Sequence, residues 1–181
     1  MADNSSVAGQ TLSLEEIARY HEDAVASLRL YFNLVSVSST KRFFGYLPAG
    51  RAEELTRRIE ETALRSILVI LASLEASFRL DYEARCRRRL KDDLSRTFRA
   101  IDKEKGERVS LDQDIFEAWK NHLPVSKARI GVLRTAFRLR HWLAHGRFWQ
   151  PKIGRSFDFD SVFDLAVAVN KEFFGSVSIL S

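Results

Sequence analysis

Glycine and proline are scarce: 8 and 3 of 181 residues, about half their usual combined share of roughly 12%. That scarcity excludes a collagen-like chain, a turn-rich β-sandwich and a long flexible linker. Cysteine is nearly absent. Cys86 stands alone, so it has no internal disulfide partner and no second thiolate for a metal site; we assign it no role. Long hydrophobic runs are missing too. An uncharged stretch reaches only eleven residues, as at Leu30–Thr40, well short of the ~20 that a membrane span needs. Met1 to Gln10 carries no basic-then-apolar pattern, so no secretory leader is expected. The length and a 45% hydrophobic content fit one soluble domain large enough to bury a core, expected in the cytoplasm.

Acid is absent from one long stretch. Between Ala118 and Phe157 there is no Asp or Glu, yet there are nine bases: Lys120, Lys127, Arg129, Arg134, Arg138, Arg140, Arg147, Lys152 and Arg155. The rest of the chain therefore carries more acid than base. A second basic cluster, Arg85 to Lys91, interrupts that remainder. Segregated positive charge attracts polyanions such as RNA or DNA. The alternative is a solvated helix face whose bases pair with acids from elsewhere in the fold.

The apolar residues recur at helical spacing. Ser13-Leu14-Glu15-Glu16 fits a capping box and opens a helix of about 14–36. Residues 41–50 read as a loop whose Phe43, Phe44 and Tyr46 need cover. A long second helix runs from about Ala52 to the Arg85–Arg89 region on a stripe of Leu55, Ile59, Ala63, Ile67, Ile70, Leu74, Phe78 and Tyr82. Around Ile67–Leu71 it is apolar on every side, as in a helix central to a bundle. A weaker helix over 93–102, a polar linker over 103–108 and a short helix from Ser110 follow. The penultimate helix begins near Pro124 and Ser126 and ends at Ala144, with Gly146 in the position favoured after a helix C-terminus. A last helix of about 161–173 follows Asp158 and Asp160. The expectation is an all-α bundle of about five main helices with short extra ones: a flexible N-terminus over 1–12, then one helical domain over 13–181.

Two charges sit where charge is costly. Arg140 falls on the Ile130–Leu133–Phe137–Ala144 stripe, and Glu75 is the only charge between Ser66 and Phe78 on the most apolar helix. Desolvated charges need partners, so these two are expected to be close; otherwise Arg140 lies at the stripe's edge and reaches out to water. Another face carries Arg134, Arg138, His141 and His145 at spacings of four, three and four. Imidazole beside guanidinium suits phosphodiester chemistry, since the ring moves a proton and the guanidinium steadies charge on phosphate oxygens. His141 and His145 also have the spacing of a metal pair, but His21 and His122 add no matching ligand cluster. No metal and no cofactor is expected. Trp142, Phe148 and Trp149 are candidates for stacking on bases or, for Trp142 above all, for packing in the core.

The run Arg140-His141-Trp142-Leu143-Ala144-His145-Gly146 resembles the signature of HEPN domains (higher eukaryotes and prokaryotes nucleotide-binding): an Arg, usually a polar residue next, then a His five positions beyond the Arg, often within Leu-Ala-His-Gly. Leu74-Glu75 midway along a long apolar helix is similar to several groups of that family. The resemblance covers Leu55–Phe174 loosely and Phe137–Trp149 specifically. In catalytic members the residue after the Arg is most often Asn or Asp; here it is His141.

The resemblance implies a metal-independent endoribonuclease. The RNA's own 2′-hydroxyl would attack phosphorus, leaving a 2′,3′-cyclic phosphate and a 5′-hydroxyl, at a site where two subunits of a homodimer meet. Carried onto this chain, His145 would transfer the proton and Arg140 would stabilise the pentacoordinate phosphorus. His141 would orient the phosphate or share the proton transfer, and Glu75 would orient Arg140. Arg134, Arg138, Arg147, Phe148 and Trp149 would bind RNA. Such proteins serve as toxins paired with an antitoxin protein, or as antiphage effectors. The alternatives are a non-catalytic HEPN-like module that binds a nucleotide or a protein, and a helical nucleic-acid-binding regulator, for which no helix-turn-helix spacing stands out.

Overall fold

A computed structural model describes residues 12–33, 41–123, 127–147, 149, 154 and 157–175. The expected flexible segment up to residue 11, the helix start at Pro124 and Ser126, and Phe148, Lys152 and Arg155 lie outside the described residues.

Helices follow one another along the chain: α1 (Leu14–Asn33), α2 (Pro48–Arg88), α3 (Asp93–Lys105), α4 (Phe116–His122), α5 (Lys127–Ala144) and α6 (Phe159–Val169). The protein is an all-α bundle, with no strand among the described residues. Capping chemistry sets several ends. Ser13 and Glu16 exchange backbone-to-side-chain hydrogen bonds at α1. Asp158 and Ser161 do the same at α6, satisfying amides that a helix start leaves open. Pro48 opens α2, where its fixed φ suits the first turn and its missing N–H costs nothing. The helix therefore starts four residues before the expected Ala52.

At ~1.5 Å per residue α2 is about 62 Å long, and α1, α3, α5 and α6 all pack on it. Ile67, Ile70, Leu71, Leu74 and Phe78 are buried at its centre. The Phe78 ring meets Phe116, Phe173 and Phe174 edge-on at 5.0–5.4 Å. The apolar girdle is incomplete, however: Val69 and Leu80 are 40% and 39% exposed, because no described element covers that side of α2.

Two stretches are more ordered than their composition suggests. The polar run 103–108 continues α3 to Lys105 and closes in one 3₁₀ turn, because the Lys105 ammonium reaches the buried Asp114 carboxylate at 2.6 Å. After α6 the chain widens into a π-helical turn, Asn170–Phe174. The wider turn lets two consecutive residues, Phe173 and Phe174, both reach Phe78.

Candidate functional site

The end of α5 is shaped by its backbone. Gly146 takes φ +79°, the Arg147 N–H donates to the Trp142 carbonyl at 3.2 Å, and the Arg147 guanidinium lies over the Trp142 ring at 5.7 Å. This is the closure in which the second residue past the helix bonds back across its last turn and packs on it. A Cβ at Gly146 would meet nothing within 4 Å, so the backbone angle rather than space demands glycine. The Trp142 indole N–H donates to the Trp149 carbonyl, and the ring is half-buried against the core. Trp142 is therefore a packing residue.

His141 and His145 project from this end into solvent. Their ring centroids are 4.2 Å apart, and the Trp149 ring lies 5.7 Å from His141. Arg140, the neighbour of His141, turns toward α2, where its Nη2 lies 3.0 Å from Glu75 Oε2. The contact expected from two lone charges on apolar stripes is present. Buried on the stripe are Ile130, Leu133, Ala136, Leu139 and Leu143, so Arg140 sits at its border, 34% exposed, while Glu75 is 18% exposed. The Arg140 Nε is buried and meets no acceptor among the described residues, which leaves part of the guanidinium's donor set unspent.

The other bases divide by how many acids meet them. Arg134 spends its donors on Asp112 and on Glu117 at 2.8 Å, and Glu117 also accepts from Lys120. Arg129 pairs with Glu172 at 3.2 Å. Acids from other segments thus neutralise that part of the acid-free stretch, and Arg134 ties α5 to α4. Arg138 is exposed on the same side as His141 and His145. In the second basic cluster Arg85 is 5% exposed, bonded to both Asp81 oxygens at 2.9 Å and stacked 5.3 Å from the Trp119 ring. It belongs to the core rather than to a charged surface.

Arg147 forms a two-pronged pair with Glu61, at 2.7 and 2.8 Å, and these bonds hold the Glu61 carboxyl below its ordinary titration range. Sequence reasoning missed Glu61 and also Glu54, which is 9% exposed and accepts from Arg57, Arg58 and Arg42 at 2.6, 3.0 and 3.4 Å. The signal was there. Glu54, Glu61 and Glu75 are separated by seven and fourteen residues, which at about 100° per residue places them within about 60° of one another round α2. Among the described residues no three His, Cys, Asp or Glu side chains converge as metal ligands, and no helix is long and apolar enough to cross a membrane.

Comparison with protein-family models, with curated proteins and with solved structures finds nothing that matches this chain.

Proposed function

We propose that this protein is an endoribonuclease of the HEPN type that cleaves RNA by transesterification through its 2′-hydroxyl. The observation that carries the reading is the end of α5: an arginine against Glu75, followed by His141 and, four residues later, His145, two exposed imidazoles 4.2 Å apart. In this scheme His145 moves the proton of the attacking hydroxyl or the leaving oxygen, and Arg140 offers its guanidinium to the charge that grows on the phosphorane. His141, beside His145 and Trp149, occupies the place of the polar residue in the family motif and shares the proton transfer or orients the phosphate. Arg138 and Trp149 flank that end as RNA contacts. The bare side of α2, where Val69 and Leu80 are exposed about 120–140° round the helix from Glu75, supports a homodimer that brings two such ends together. A toxin–antitoxin or antiphage setting is the role that the resemblance implies.

Incubating purified protein with labelled RNA, and with DNA of the same sequence, in EDTA tests the chemistry. RNA should be cut to fragments ending in a cyclic phosphate, and DNA, lacking the 2′-hydroxyl, should survive. His145→Ala should lose on the order of 10²–10⁴ in rate, and Arg140→Ala about 10²–10³. A large loss in His141→Ala assigns that ring to the reaction; a small one makes it a bystander. Protein that binds RNA but never cuts it, across many substrates and with or without metal, refutes the reading and leaves the Arg140–Glu75 pair to the fold of a binding module. Light scattering that finds only a 20.8 kDa species refutes the dimer.

A further inference from the structure

Three carboxylates on one face of α2 each gather more than one arginine. Glu75 takes Arg140 and Arg79, at 3.0 Å each. Glu61 takes Arg147, with Arg65 at 3.7 Å, and Glu54 takes Arg42, Arg57 and Arg58. Every rung therefore keeps a surplus of positive charge, unlike Arg134 and Lys120, which Asp112 and Glu117 match one for one. The guanidiniums are held in place by their carboxylates while remaining open to solvent: Arg65, Arg57, Arg58 and Arg79 are 75%, 65%, 55% and 46% exposed. From Glu75 to Glu54 the ladder spans 21 residues, about 32 Å.

Past Glu54 the ladder runs into an aromatic tip. Arg42, which reaches Glu54, also lies 5.5 Å from the Phe43 ring. Phe43 is buried against Phe32, Tyr31 and Tyr46 and anchors the turn at Gly45, where φ is +79°. Beyond this anchor Phe44 is 87% exposed, Tyr46 44% and Tyr31 40%, and Tyr46 also lines a cleft of about 380 Å³ with Phe43, Asn33 and Leu55. An unburied phenylalanine with a basic flank is what base stacking uses.

We infer that the α2 arginine ladder and the Tyr31–Phe44–Tyr46 tip form one continuous track for single-stranded RNA, leading away from the Arg140–His145 end. The inference rests on the proposed reading of RNA as the substrate. The track's length suits about nine nucleotides of stacked strand at ~3.4 Å each, and fewer if extended. A bilayer would engage the tip alone and leave the ladder unused; a strand with a phosphate at every step uses both.

Fluorescence anisotropy on the full chain tests the track, with His145→Ala as the parent so that RNA persists, and labelled oligouridine of 4 and 12 nucleotides as probes. The parent should bind the 12-mer far more tightly than the 4-mer. Phe44→Ala, at a position too exposed to threaten folding, should weaken 12-mer binding about tenfold, the worth of a stacked base. Arg57→Ala with Arg58→Ala, which leaves Arg42 on Glu54, should make the salt dependence shallower by about 1.4, from ~0.7 per lost phosphate contact. The gain from 4-mer to 12-mer should shrink in both. Unchanged 12-mer affinity and salt slope in folded variants overturn the track, as does tip-dependent binding to phosphatidylserine vesicles without RNA binding. The two readings fail separately: cleavage by the wild type with no effect of these variants removes the track alone, whereas track-dependent binding by a protein that never cuts RNA removes the ribonuclease alone.

Discussion

Replacing Glu75 by glutamine keeps the shape of the side chain and removes its charge, so it isolates what the carboxylate does for Arg140. Two limits bracket the cost. Truncating one partner of a fully buried pair costs about 3–5 kcal/mol, and exposed pairs contribute about 0.2–1 kcal/mol. The Arg140–Glu75 pair lies between them: the carboxylate is 18% exposed and the guanidinium 34%. Its contact is a single N···O approach of 3.0 Å rather than a two-pronged fork, which places it at the weaker end. Arg79 remains against the amide but is half in water and replaces little. We expect Glu75→Gln to destabilise the protein by about 1–2 kcal/mol, a fall in Tm of about 2–8 °C for a chain of this size.

The mechanism behind that number can be checked. Denaturant unfolding of Glu75→Gln, Arg140→Gln and the double variant forms a cycle whose coupling should reach about 1 kcal/mol, as for residues in contact. Single-variant effects that add to within about 0.3 kcal/mol would refute the claim that the carboxylate braces the guanidinium. Arg79→Ala, losing a contact from a far more exposed arginine, should cost under about 0.5 kcal/mol. In the cleavage assay the brace should appear in kcat more than in KM, because a loosened guanidinium still meets RNA but misses the phosphorane.

Three further outcomes follow from the geometry. Gly146→Ala should cost about 1–2 kcal/mol and lower Tm by scanning calorimetry, since φ is +79° there and a Cβ has free space but the wrong backbone; no loss would mean that the turn is not held. His21 is stacked on Phe159 at 3.8 Å and bonded to Ser66, and burial lowers its pKa below the ordinary 6.5. The unfolded chain thus binds the proton more readily, so stability should fall as pH drops below about 6.5; His21→Gln should flatten the pH 7 to 5 limb of a stability curve, and an unflattened limb refutes the assignment. Phe78→Ala, at the ring cluster with Phe116, Phe173 and Phe174, should cost about 3–5 kcal/mol in urea unfolding, and a cost under about 1 kcal/mol would show that the cluster repacks.

What could be read from the sequence depended on how local the governing physics was. Ser13–Glu16 and Asp158 were legible because a cap is settled within four residues, and the stop at Gly146 because a positive φ selects its residue. Arg140 with Glu75 was legible across 65 positions for a different reason: each was the one charge among apolar residues at helical spacing and so in need of a partner, although the fold sets Arg140 at the border of its stripe rather than on it. Arg134 and Arg147 follow no such rule. Both lie where charge is ordinary, and their acids, 22 and 86 residues away, are named only by how α4, α5 and α2 pack. Composition read the stretch from Ala118 to Phe157 as uniformly basic, whereas the fold sorts it by stoichiometry. Arg134 faces two acids and is consumed. Arg140 and Arg147 each share one carboxylate with a second arginine, and so retain charge at the surface. Arginines that outnumber their carboxylates therefore gather along the seven-residue register of Glu54, Glu61 and Glu75 on α2, where Arg140 and Arg147 of the acid-free segment join them. If RNA binds here, its path should follow that register.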